Sequence, residues 1–144
     1  EPDVRYIMGS GSTVAAVMDS LGLSNTLLGV DVVEDGQVIA RDGTVAQLLR
    51  LCEHHPAQLV ITLIGGQGHV LGRGNQQLSP PLIKHLGMEN IHIIATKTKL
   101  KKLAGRPLLV DSGDPQLDID LAGLVPVICG FHDVVLYPLG NSQA

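Results

Sequence analysis

The chain has 144 residues, 44% of them hydrophobic, with a net charge of −4 and a mean hydropathy of +0.26. That length and apolar content suit one folded domain with a substantial core and exclude a disordered segment. With no Trp, one Phe and two Tyr, the core is aliphatic, and the aromatic platforms that stack single-stranded nucleic acid are missing. The acidic balance argues the same way against a broad phosphate-backbone footprint, though not against a small anion site. No nucleic-acid partner is therefore expected. No apolar run reaches the length of a membrane span and no signal-peptide pattern is present, so no membrane partner is expected either. Cys52 and Cys129 lie in apolar surroundings and are too few for a disulfide scaffold; they read as reduced thiols of a cytoplasmic protein.

Val4, Arg5, Tyr6, Ile7 and Met8 form a short strand that runs straight into Gly9, Ser10, Gly11, Ser12 and Thr13. Val14, Val17, Met18 and Leu21 then recur at helical spacing, ended by Gly22. A strand, a glycine-rich turn and a helix amino terminus together hold phosphate through backbone N–H groups and the helix dipole. The hydroxyls of Ser10, Ser12 and Thr13 add donors. The Gly-Lys-Ser/Thr ending of a Walker loop and the third glycine of the dinucleotide fingerprint are absent. The alternative is an ordinary cap, with Ser12 or Thr13 satisfying the first turn. Residues 26–33 read as a second core strand carrying one acid, Asp31. Asp31 is the single catalytic candidate, because a buried carboxylate needs partners and such sites are often functional. Hydrogen bonding to neighbouring backbone is its alternative. Asp35-Gly36 marks a tight hairpin that returns through Val38, Ile39 and Ala40. Asp42, Gly43 and Thr44 cap a helix whose apolar side is Val45, Leu48, Leu49, Leu51 and Cys52. His54 and His55 close it, where cations suit the dipole; as neighbours on a helix they point apart and do not form a metal pair.

Residues 59–64 are apolar and mostly β-branched, a buried strand, and lead into the richest stretch of the chain, residues 65–79, read as one long loop. It leaves the carboxyl end of a strand, where ligands of open α/β sheets sit. Gly65, Gly66, Gly68, Gly72 and Gly74 let backbone donors approach a ligand with Gln67 among them, while Arg73 and the carboxamides Asn75, Gln76 and Gln77 can read a phosphate or the edge of a heterocycle. An ordinary glycine-rich surface loop is the alternative. Ser79 then caps a short helix with Pro80 at its first position. Residues 91–95 form a strand, followed by a helix whose Lys97, Lys99, Lys101 and Lys102 read as a solvated face. Gly105 ends that helix and residues 107–110 give another strand. Asp111, Asp114, Asp118 and Asp120 lack calcium-loop spacing; Asp114 is better read as an N-cap ahead of Pro115. Residues 124–129 and 133–137 read as the last two strands, joined through residues 130–132, and nothing from Gly140 onward carries a core signal. The expectation is a single α/β domain over residues 1–140 with a tail at 141–144. Its three layers would enclose a mainly parallel sheet, with the two terminal strands antiparallel at an edge. Both glycine loops would meet on one rim.

Taken together, residues 9–13, 27–33, 64–68, 72–80, 95–96, 105–108 and 111–114 resemble the carboxyl-terminal part of predicted ATP-NAD kinase-like proteins, a group that includes acetoin-catabolism relatives. The similarity spans nearly the whole chain, and the Gly-Arg-Gly-Asn-Gln-Gln run at residues 72–77 is its most specific part. It implies a nucleotide- or phosphate-binding domain of a phosphotransferase that makes NADP from NAD and ATP or polyphosphate. A divalent metal is compatible with the full-length protein. It also implies a partner, the amino-terminal kinase region of the same protein, which bears the family signature Gly-Gly-Asp-Gly-Thr. None of these 144 residues spells that signature. The chain is also similar in fold to the ribose-5-phosphate isomerase and glucosamine-6-phosphate deaminase class of Rossmann-like domains, in which a Gly/Ser/Thr loop holds a sugar phosphate. The isomerase motif Asp-Gly-Ala-Asp-Glu is absent, so this second similarity bears on fold rather than activity. An autonomous sugar-phosphate-binding domain and a non-catalytic dimerisation module, with homo-oligomers, are the alternatives.

Overall fold

The structure, a computed structural model, describes residues 4–9, 12–20, 22, 30–53, 55–63, 68–71, 78–112, 114–130 and 132–141. Strand β1 (Arg5–Met8) leads to helix α1 (Ser12–Ser20), and β2 (Asp31–Glu34) turns back into β3 (Gln37–Ala40). The β2–β3 turn is the expected hairpin: Asp35 and Gly36 both take positive φ, 51° and 75°, the conformation that Asp-Gly adopts most readily. Helix α2 (Val45–Cys52) begins at Thr44 with a capping box, in which Gln47 N–H donates to Thr44 Oγ1 and Thr44 N–H donates to the Gln47 side chain. Then come β4 (Ala57–Thr62), β5 (His69–Leu71), α3 (Pro80–Leu86), β6 (Ile91–Ile94), α4 (Lys97–Lys102), β7 (Leu108–Val110), α5 (Pro115–Leu121), β8 (Gly123–Gly130) and β9 (Asp133–Asn141).

The strands form one sheet in the order β3-β2-β1-β4-β6-β8-β9-β7-β5. Five of its eight pairings are parallel and three antiparallel, and helices cover both faces, so the expected three-layer α/β arrangement holds. Strand alternation sorts the residues between the faces. Ile7, Leu59, Ile61 and Ile93 join the main core with Leu48 and Cys52 of α2 and Leu82 and Ile83 of α3. Met8 and Val33 pack on the other side with Val14 and Met18 of α1. Arg5 ties the end of α2 to the sheet by donating to the Leu51 carbonyl at 2.9 Å. Burial pushes the Cys52 thiol up to about 11, against a smaller opposing pull from Arg5. Both cysteines are free, Cys52 as a core residue and Cys129 half-buried.

Three expectations are corrected. Residues 65–79 are not one loop: His69, Val70 and Leu71 are buried and pair in parallel with β7 as the edge strand of the sheet. Three residues between glycines are too few to show a period. The β8–β9 hairpin lies inside the sheet rather than at its edge. β9 is long enough to accept β7 on its far side, through Leu108↔Leu139, Leu109↔Gly140 and Val110↔Asn141, so the strand continues through the positions at which the core signal stops. Ser79 holds the N-cap position of α3, yet its hydroxyl makes no cap bond and is buried without a partner among the described residues. Pro80 and Pro81 occupy the first two helical positions, and Pro81 removes an N–H to which a cap would bond.

The last hairpin is also only half core. Val125, Val127 and Leu139 point inward, whereas Leu124 and Leu136 are each 68% exposed. Leu59→Ala, at a fully buried position, should cost about 2–5 kcal/mol in urea unfolding, while Leu136→Ser should stay within about 0.5 kcal/mol of wild type.

Asp114 caps α5 by accepting from Gln116 N–H and Leu117 N–H, and pairs with Lys84 at 2.7 Å. Its bond from Lys84, with the Leu117 N–H second, holds its carboxyl below the ordinary value. The stability that this carboxylate adds is therefore present above the ordinary Asp value, ~3.9, and lost as pH falls through the lower folded-state value. Asp114→Ala should be less stable than wild type at neutral pH, and denaturant midpoints should converge in acid.

Candidate functional site

The site begins where β1 and β4 end together. They are parallel neighbours with Met8 opposite Val60, and the ladder extends one step further as Gly9 N–H donates to the Val60 carbonyl at 2.8 Å. A Cβ on Gly9 would stand 3.1 Å from Ile61 Cγ2 and 3.2 Å from the Val60 oxygen. Glycine is what lets the chain leave β1 pressed against β4. Helix α1 follows with no acid in its first turn, so the positive end of its dipole sits on this rim uncompensated by an acid of its own.

The far side of β4 brings a cation. β6 pairs with β4 through Thr62↔Ile94, and α4 starts just beyond, capped by Thr96, whose Oγ1 accepts from Lys99 N–H at 3.2 Å. From the first turn of α4, Lys99 Nζ donates to Thr13 Oγ1 on α1 at 3.2 Å. Lys97 pairs with Asp133 at 2.9 Å, and that bond raises its pKa. The lysines thus divide: Lys101 and Lys102 are exposed as expected, but Lys97 and Lys99 reach neighbouring elements.

Between these elements lies Thr62, the last residue of β4 and only 1% exposed. By alternation it shares the α1 side of the sheet with Val60, and its Oγ1 has no hydrogen-bond partner among the described residues. Directly below along that face is an apolar pocket of about 250 Å³, lined by Tyr6, Met8, Val17, Val33, Val60 and Ile94.

Asp31 borders the same rim, opposite Met8 and 2% exposed. Its Oδ1 accepts from Asp42 N–H at 2.9 Å while Gly43 N–H donates to the Val30 carbonyl. The backbone alternative therefore describes at least one oxygen of this acid, which pins the turn where Asp42 takes φ 47°. Gly68, at φ 86°, packs so closely on Leu103 beyond α4 that a Cβ would meet Leu103 Cδ2 at 3.0 Å.

Ser10, Gly11, Gly65, Gly66, Gln67, Gly72, Arg73, Gly74, Asn75, Gln76 and Gln77, and the side chain of Ser12, lie outside the described residues. β5, which leads into residue 72, runs opposite to β4 in the sheet's order and ends beside Asp111, whose N–H donates to the Leu71 carbonyl. Its carboxyl end therefore belongs to the rim away from Gly9. Among the described residues no group of three His, Cys, Asp or Glu side chains is placed to hold a metal ion.

A family model described as the ATP-NAD kinase C-terminal domain matches residues 1–139. The chain belongs to that family. No curated protein and no solved structure matches it. Membership supports a role in an NAD kinase, whose substrates are NAD and ATP. No helix among the described residues is long and apolar enough to cross a membrane.

Of the residues that meet at this rim of the NAD kinase C-terminal domain, Gly9, Thr13 and Asp31 are candidates by sequence, and Thr62 and Lys99 are not. Each left a faint signal. Thr62 is a hydroxyl closing a mostly aliphatic strand, three residues before Gly65, and Lys99 is a cation three residues after the Thr96 cap, at the end of a helix that favours acids. Gly9→Ala should cost about 1–3 kcal/mol in urea unfolding through overpacking against the β4 backbone. Wild-type stability in that variant would show that the rim is looser than its contacts imply.

Proposed function

We propose that this chain is the nucleotide-binding carboxyl-terminal domain of an ATP-NAD kinase, holding a phosphorylated ligand on the rim at the carboxyl ends of β1, β4 and β6. What carries the reading is the family match over residues 1–139. The rim supports it: a glycine exit from β1, an α-helix amino terminus and a lysine meet where open α/β sheets bind ligands. Ser10, Gly11 and Ser12, which follow Gly9 in the chain, would add donors, as would residues 65–68, which follow β4. Phosphoryl transfer depends on positioned metal and phosphate ligands, and the Gly-Gly-Asp-Gly-Thr element is not among these residues. An amino-terminal region of the same protein would supply it.

Thermal unfolding with NAD, NADP, ATP and pentose phosphates tests this directly. NAD or ATP should stabilise the protein by about 2.7 kcal/mol at a hundredfold excess over the dissociation constant. A shift with pentose phosphates and none with nucleotides would replace the kinase reading with sugar-phosphate binding. The 144-residue chain by itself should form no NADP from NAD with ATP or polyphosphate; NADP formation would show that the transfer machinery lies within it.

A further inference from the structure

We infer that Lys99 and Thr62 are ligands of the phosphate chain of the nucleotide, acting together with the amino terminus of α1; this rests on the nucleotide-binding reading above. The first observation is one of sign. The amino end of α1 carries a partial positive charge that favours anions and repels an ammonium, yet Lys99 Nζ is held there, 3.2 Å from Thr13 Oγ1. Lys97 and Lys84 have carboxylate partners, Asp133 and Asp114, whereas among the described residues Lys99 forms no ion pair. Asp31, the acid on the same rim, gives one oxygen to Asp42 N–H. Two positive features converging on one point form a site for an oxyanion, which takes charge-assisted bonds from both.

The second observation is independent of charge. Thr62 is 1% exposed and its Oγ1 has no partner among the described residues. Buried hydroxyls are almost always hydrogen-bonded, and a valine would fill the same strand position with no polar group to satisfy. Thr62 sits at the last position of β4, on the α1 face, between Gly9 on β1 and Thr96 at the start of α4. The rim thus offers, across three adjacent strand ends, a helix terminus, a hydroxyl and an ammonium. That set of donors suits a phosphate chain, either the pyrophosphate of a dinucleotide or the triphosphate of ATP.

Inorganic pyrophosphate, NAD and ATP should be titrated calorimetrically, at fixed ionic strength, into wild type, Lys99→Ala, Thr62→Val and Lys97→Ala. Lys99→Ala should weaken pyrophosphate binding about tenfold or more, the usual worth of a charge-assisted bond. Thr62→Val should weaken it measurably, and Lys97→Ala should leave it within about twofold, since a surface ion pair contributes little. Without ligand, Lys99→Ala should melt at or above the wild-type temperature, because an ammonium is removed from the positive end of a helix. A larger loss for NAD than for ATP assigns the site to the dinucleotide, and the reverse assigns it to ATP. The inference fails if Lys99→Ala binds pyrophosphate and both nucleotides as wild type does, even though nucleotide binding itself then stands. It fails equally if Lys97→Ala loses as much as Lys99→Ala, which would indicate a diffuse positive field. Wild type that binds none of the three ligands would overturn the functional reading along with it.

Discussion

The parallel pairing of β1 with β4 is the constraint on which the site depends. Once Met8 is opposite Val60, both strands must leave the sheet at one rim, and the bond from Gly9 N–H to the Val60 carbonyl keeps Gly9 against β4. Pairing β2 antiparallel to β1 brings Asp31 to that rim, and pairing β6 parallel to β4 brings α4 and Lys99. Residues 86 apart in sequence, Thr13 and Lys99, touch because three strands share one register. Parallel strands require long crossovers, so this rim is assembled only when most of the chain has folded.

The β8–β9 hairpin reverses that order. It is the antiparallel seam between β1-β4-β6-β8 and β9-β7-β5, so the strand ends on the far side of the seam face the other way. The consequence is chemical as well as topological. Polar groups near the end of β7 meet one another rather than the Gly9 rim: Ser112 Oγ donates to Asp118 Oδ1 at 2.6 Å, and Asp111 N–H bonds to the Leu71 carbonyl. Asp118, 7% exposed, is spent on holding that turn by accepting from the backbone N–H and the hydroxyl of Ser112.

Local features of the fold were legible because they depend on a few adjacent residues. Asp35-Gly36, the cap at Thr44 and Asp114-Pro115 each carry their own backbone chemistry, and each forms as read, Thr44 with Gln47 added as the second half of a capping box. Long-range features were not. Nothing in His69-Val70-Leu71 announces a strand until β7 supplies its partner, and nothing in residues 133–141 says that a further pair of strands will add outside them. Ser79 shows a local rule failing for a local reason, since the prolines after it leave little for its hydroxyl to bond. For the site, glycines and hydroxyls next to a strand end were visible. Lys99 was not, because whether a lysine faces water or another helix depends on where that helix lands.

Net charge was informative only at the scale of the whole molecule. Four of the ten basic residues lie within the six residues of α4, so a chain of net charge −4 still concentrates cations beside one rim. Charges on exposed surfaces are screened over about 8–10 Å, a distance too short for the acids elsewhere to cancel a lysine in hydrogen-bond contact with a helix terminus. Within that helix the burden is uneven. Lys97 is neutralised locally by Asp133, and Lys101 and Lys102 face solvent, where hydration satisfies them at little cost. Lys99 alone of these lysines is drawn by packing toward a pole of its own sign, with Leu100 beside it buried in the core and Thr96 fixing the first turn. The arrangement therefore follows from how α4 is seated, and an acidic average is compatible with a local anion site.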